Sequence, residues 1–173
     1  MQLHLSVEIL KEHSKSNTTR VSKIVDSDPE RFDELMTLFF DEDNMDLARK
    51  AAWVLRESVL KHPGLIIPYL SSVISYVRKT HLHPAIRRNV FSILVHVEIL
   101  EELEGTVADL CFESIARYGE TIAVKAYAMR VLEKMCVRYP DLRIELGILV
   151  RELYSYESKG FQARARKILK KKL

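Results

Sequence analysis

The chain repeats itself. Ala48-Arg49-Lys50-Ala51-Ala52-Trp53-Val54-Leu55 returns 38 residues later as Ile86-Arg87-Arg88-Asn89-Val90-Phe91-Ser92-Ile93, and 38 later again as Val124-Lys125-Ala126-Tyr127-Ala128-Met129-Arg130-Val131. A step of 37 then reaches Phe161-Gln162-Ala163-Arg164-Ala165-Arg166-Lys167-Ile168. In each copy the first, fifth and eighth residues are apolar, the spacing that puts them on one stripe of an α-helix. A single such helix cannot bury its stripe alone. A fixed period of this size therefore predicts helix pairs stacked into a solenoid.

Punctuation supports the period. Pro29, Pro63, Pro84 and Pro140 stand where new helices open, a position that suits proline because its missing N–H has no partner there anyway. Asp43-Asn44 and Gly119-Glu120-Thr121 supply turn and capping chemistry. The spacing predicts alternating A helices over 30–42, 64–79, 98–118 and 141–157, and B helices over 46–62, 84–97, 121–139 and 160–173. A shorter, less regular pair over 1–15 and 19–27 precedes them, with Ser14 to Thr19 read as a turn. Only 5 Gly and 5 Pro in 173 residues favour long helices over short strands. No apolar run approaches the ~18 residues of a membrane span, and Met1 to Glu8 lacks a basic leader followed by an apolar stretch. The expected location is cytoplasmic. Cys111 and Cys136 sit in apolar helical stretches and form no CxxC pair.

Before the first B helix comes an acidic turn, Asp41-Glu42-Asp43, followed by Leu47-Ala48-Arg49-Lys50-Ala51-Ala52. This resembles the HEAT repeat, in which a turn Asp precedes a V-R-x-x-A helix. Ile86-Arg87-Arg88-Asn89-Val90 and Val124-Lys125-Ala126-Tyr127-Ala128 match more loosely, and the fourth copy departs from the pattern by carrying Gln162 at the basic position. Armadillo-type repeats are nearly as compatible. The resemblance implies an all-α, α-α superhelix of about four to five helix pairs, forming a single domain over 1–173. Within it, 1–28 would be an atypical capping pair and 29–173 the regular repeats. It also implies B helices lining the concave face, and a binding scaffold for proteins. Some family members bind nucleic acid, among them DNA alkylation-repair glycosylases.

The net charge of +3 hides a division by helix type. The B ranges hold sixteen Lys/Arg against three Asp/Glu, whereas the A ranges hold six against fifteen. A basic B-helix groove would concentrate phosphates or an acidic partner. The candidate partner-binding residues are Arg49, Lys50, Arg56, Arg87, Arg88, Lys125, Arg130, Lys134, Arg164, Arg166 and Lys167. A bland reading competes: these cations pair internally, for example Asp43 or Asp46 with Arg49 or Arg87, and the C-terminal run is a solvated cap.

Other signals are weaker. His81-Leu82-His83 lacks the further convergent ligands that a metal site needs and reads as a polar turn. Trp53, Phe91 and Met129 occupy equivalent positions and read as inter-repeat packing, with Trp53 a possible stacking platform. Tyr154, Tyr156 and Phe161 suggest an aromatic cluster. No GxSxG, Walker loop, GxGxxG or HExxH is present. The expectation is a non-enzymatic scaffold without cofactor or metal that binds a protein partner. The alternative is a nucleic-acid-binding module using the same groove.

Overall fold

The computed structural model describes residues 4–26 and 28–170. Among these residues all regular structure is helical: α1 Leu5–Leu10, α2 Lys15–Asp26, α3 Pro29–Phe39, α4 Met45–Lys61, a 3₁₀ helix Pro63–Tyr69 running into α5 Leu70–Val77, α6 Pro84–His96, α7 Glu101–Ala116, α8 Ile122–Met135, α9 Asp141–Leu153 and α10 Lys159–Lys170. The expected alternation of A and B helices is present, as in an α solenoid. α3, α5, α7 and α9 fall in the A ranges, and α4, α6, α8 and α10 in the B ranges.

Local chemistry explains the starts. Asp28 Oδ1 accepts from Glu30 N at 2.9 Å, with Pro29 in the first turn of α3. Asn44 Oδ1 accepts from Leu47 N at 3.1 Å and caps α4. His83 Nδ1 accepts from Ala85 N at 3.1 Å ahead of α6. Each bond satisfies an N–H that has no partner inside its helix. Between α7 and α8, Gly119 takes φ 75°, a left-handed turn conformation that favours glycine.

Two expectations are corrected. Ser14 to Thr19 is not a turn, because α2 begins at Lys15. Ser14 Oγ accepts from Asn17 N at 3.1 Å, Thr18 Oγ1 donates to Ser14 O at 2.8 Å, and Asn17 Nδ2 donates to Glu8 O at 3.0 Å. The polar cluster is the capped start of a helix. Nor is 64–79 one α-helix. Pro68 has no N–H to donate to the carbonyl four residues back, so the chain runs as a 3₁₀ helix until Leu70.

The chain divides into two compact units, Met1–Glu98 and Ile99–Leu173. In the first, α3 packs on α4, α4 on α6, and α5 on α6. α2 packs on α4 as that helix packs on α6, so the opening pair behaves as a preceding repeat. In the second, α7 packs on α8, α8 on α10, and α9 on both α8 and α10. Each A helix thus meets its own B helix, and consecutive B helices meet within a unit. The predicted stripe forms the core: Ala48, Ala52, Leu55, Ile86, Val90, Val124, Ala128, Val131, Phe161 and Ala165 are fully buried. The larger of these contribute roughly 1.5–3 kcal/mol each. No helix of the described residues is long and apolar enough to cross a membrane.

Candidate partner-binding surface

In the second and third copies the recurring basic position of the repeat turns inward. Arg87 is only 5% exposed, and its Nη1 donates to Lys79 O at 3.2 Å. Lys125 is 2% exposed, ion-paired with Glu157, and its Nζ lies 5.9 Å from the centre of the Phe161 ring. Gln162, which departs from the repeat pattern, does similar work: its Nε2 donates to Tyr154 O at 3.0 Å and Glu157 O at 3.1 Å. Here the long polar side chain ties the B helix to a neighbouring loop or helix end.

Other candidates are also engaged. Asp46 binds Arg49 at 2.5 Å and Lys50 at 3.0 Å, joining residues one helical turn apart. Arg56 Nε donates to Ser92 Oγ at 2.8 Å, and its Nη1 pairs with Glu57 at 2.6 Å. Arg164 pairs with Glu133 across the α8–α10 contact. Burial, then the nearby Arg130 guanidinium, lowers the Arg164 pKa, which places Arg130 beside it.

Four candidates on the second unit face solvent: Arg130 and Lys134 on α8, and Arg166 and Lys167 on α10. The Arg130 guanidinium lies 5.5 Å from the centre of the Tyr127 ring, a cation–π contact that holds it over the helix. Arg166 Nη1 donates to the Tyr154 hydroxyl at 2.8 Å. α8 and α10 pack together, with Arg130 beside Arg164 on the α8 side, whereas Arg166 turns towards α9 and lines a hollow with Arg151 and Tyr154.

On the first unit, structure adds residues that sequence reasoning did not connect. Arg49 Nη1 lies 3.3 Å from His13 Nε2, and the His13 ring meets Trp53 edge-on at 5.3 Å. A guanidinium only donates, so His13 accepts at Nε2 and carries its proton on Nδ1. Partial burial, then Arg49 and Lys50, hold the His13 pKa below its usual value. Burial, Arg49, Arg88 and Arg87 do the same to His83. Arg88 is exposed. Arg49 on α4, Arg88 on α6, His13 ahead of α2 and His83 ahead of α6 therefore lie near one another beside half-buried Trp53. No signal in the sequence tied His13 to this place, because its partner lies 36 residues away.

The remaining signals resolve separately. His81 pairs with Glu42 at 3.1 Å, whereas His83 caps a helix, so the two imidazoles serve different partners. No group of three or more metal-ligating side chains occurs among the described residues. Phe91 and Met129 are fully buried, consistent with packing at that repeat position. The aromatic cluster does not form: Phe161 is in the core and Tyr156 is 87% exposed.

Period, helix order and packing define a helical-repeat protein. The family of the HEAT repeat domain matches residues 5–172, and the chain belongs to that family. No curated protein and no solved structure matches the chain.

Proposed function

We propose that this protein is a non-enzymatic scaffold whose B-helix surface binds an acidic segment of a protein partner. Membership of a family of helical-repeat scaffolds supports this reading. The observation that carries it is the set of exposed cations on two packed B helices, Arg130, Lys134, Arg166 and Lys167. Among the other candidates, Arg56, Arg87, Lys125 and Arg164 bond groups outside their own helix, and Arg49 and Lys50 pair with Asp46 on theirs. These four face water and supply a positive field for encounter and register. The buried thiols of Cys111 and Cys136 suit a reducing cytosol.

The test is affinity capture from nuclease-treated native lysate, comparing the wild type with a variant carrying R130E, K134E, R166E and K167E. The expected outcome is loss of a captured protein with the melting temperature held within a few degrees, because surface changes cost little. Equal capture by both proteins would sink the reading.

A second reading rests on the first unit. Arg49, Arg88, His13 and His83 with Trp53 offer charge and a ring face, the chemistry of a nucleic-acid contact. That reading requires binding to labelled single or double strands that weakens as salt rises, with a log–log slope of roughly −0.9 per duplex phosphate contacted. Absence of any anisotropy change at low salt would remove it.

A further inference from the structure

A concavity of the second unit lies between its A helices and the end of α8. α7, the end of α8 and the start of α9 enclose a pocket of about 540 Å³, within the range of ligand sites. It is lined by Gly105 and the apolar side chains of Ala108, Met135 and Leu142, and by the exposed Glu101, Asp141 and Glu145. Glu104 sits at the wall, nearly buried, pairing with Arg138 at 2.6 Å and accepting from the Tyr139 hydroxyl. Arg138 is the one cation among the lining residues. Asp141 and Glu145 have no ion-pair partner among the described residues.

α9 also exposes apolar side chains. Ile144 and Ile148 are each 50% exposed, one turn apart on the outer face of α9. Two half-exposed isoleucines on a helix that also lines the pocket are what a docking surface leaves uncovered. We propose that this pocket receives a basic amphipathic helix of a partner protein. An aliphatic or aromatic anchor would enter over Gly105, with flanking lysines or arginines meeting Glu101, Asp141 and Glu145. The acidic rim excludes an acidic partner by like-charge repulsion. A second copy of this chain fits less well. Its most basic helix, α10, exposes Ala163, Arg166, Lys167 and Lys170, which offer charge without a large apolar anchor.

Gly105 provides a test that leaves the charge unchanged. A Cβ built there meets no atom within 4 Å, so Gly105→Leu adds an aliphatic side chain at a residue that lines the pocket and improves helix propensity. The probe is a short, fluorescently labelled helical peptide of leucine and lysine with one apolar face, titrated by anisotropy against the full chain. The expected result is saturable binding that weakens roughly tenfold or more in Gly105→Leu and, separately, in Glu145→Lys. An R130E/K134E variant should bind as the wild type does, which separates this surface from the B-helix reading. Generic attraction to acidic surface would survive Gly105→Leu, so equal binding by that variant overturns the proposal. So does equal binding of a peptide with glutamate in place of lysine, or no saturable binding at all. If sedimentation finds the wild type self-associated and Gly105→Leu monomeric, the occupant is a second copy and the partner assignment fails. Should Gly105→Leu melt below the wild type, Glu101→Lys and Glu145→Lys at exposed positions replace it: weakened binding in both supports the pocket, and unchanged binding in both overturns it.

Discussion

Lys125 occupies a position at which the sequence pattern suggests a ligand contact, yet its ammonium is buried against Glu157 and the Phe161 ring. Taking a lysine out of water is costly unless a partner answers it, so each member of this pair depends on the other. Removing one partner of a fully buried pair costs roughly 3–5 kcal/mol. Glu157 keeps 22% of its side chain in solvent, so Lys125→Ala is expected to cost about 2 kcal/mol. Lys125→Met retains the packed stem and should cost about half as much. Urea unfolding of the two variants checks both values. Equal losses would mean that the volume of the stem contributes nothing. The same position shows how far the residues could be read in advance. Arg49 and Asp46 lie three apart on one helix, and their pairing was legible as one of two readings. Glu157 is 32 residues from Lys125, and nothing in the local pattern singles it out from the other carboxylates of the A helices.

At the scale of elements, helix order follows from the apolar period, and the boundaries follow from single side chains. Asn44 starts α4 by accepting from Leu47 N, so Asn44→Ala is expected to destabilise the protein by about 1 kcal/mol, whereas Asn44→Asp should be nearly neutral. Thermal or urea unfolding of the two variants checks this, and equal effects would show that the cap bond is idle. The misread elements have the same kind of cause. Ser, Asn and Thr in succession serve turns and helix caps alike, because both bond the side-chain oxygen to a nearby backbone N–H. What distinguishes them at Ser14 to Thr19 is Asn17 reaching Glu8 O in the preceding helix, a tertiary fact. Pro68, by contrast, carried its signal openly: a proline inside an apolar helical stretch forbids the regular bond at that point, and the A helix begins as a 3₁₀ turn for that reason.

Across the whole molecule, polar links repeat at the period of the core. Arg56 reaches Ser92 over 36 residues, Lys61 reaches Ser22 over 39, Lys79 reaches Glu42 over 37 and Arg138 reaches Glu104 over 34. Each ties a residue to its neighbour one repeat away, as expected of a stack held by nearest-neighbour contacts. Carboxylates in these and similar links titrate low. Lys11 and Arg20 lower Glu8, Lys79 lowers Glu42, Arg49 and Lys50 lower Asp46, and Tyr139 with Arg138 lowers Glu104. A carboxyl whose folded pKa lies below its unfolded value adds stability that is complete above the unfolded pKa and lost as pH falls through the folded one. His13 and His83, also lowered, act in the same direction from their usual 6.5 downward. The melting temperature should therefore decline gently below pH 6.5 and steeply below the ordinary carboxyl values of 4.5 and 3.8. A pH series of thermal melts at fixed ionic strength checks this, and a flat profile down to pH 3 would contradict it. The sequence by itself determined the helices, their alternation and the buried stripe, because each is written in the spacing of neighbouring residues along one helix. It also held the charge division between A and B helices. Only the tertiary structure decided which charges stay exposed to solvent. A cation's exposure depends on which carboxylate or carbonyl arrives from a repeat away, so Lys125 and Arg164 went inward to partners while Arg130 and Lys167 stayed in water. The pocket lined by Gly105 was hidden for the same reason, since it exists only where α7, α8 and α9 meet.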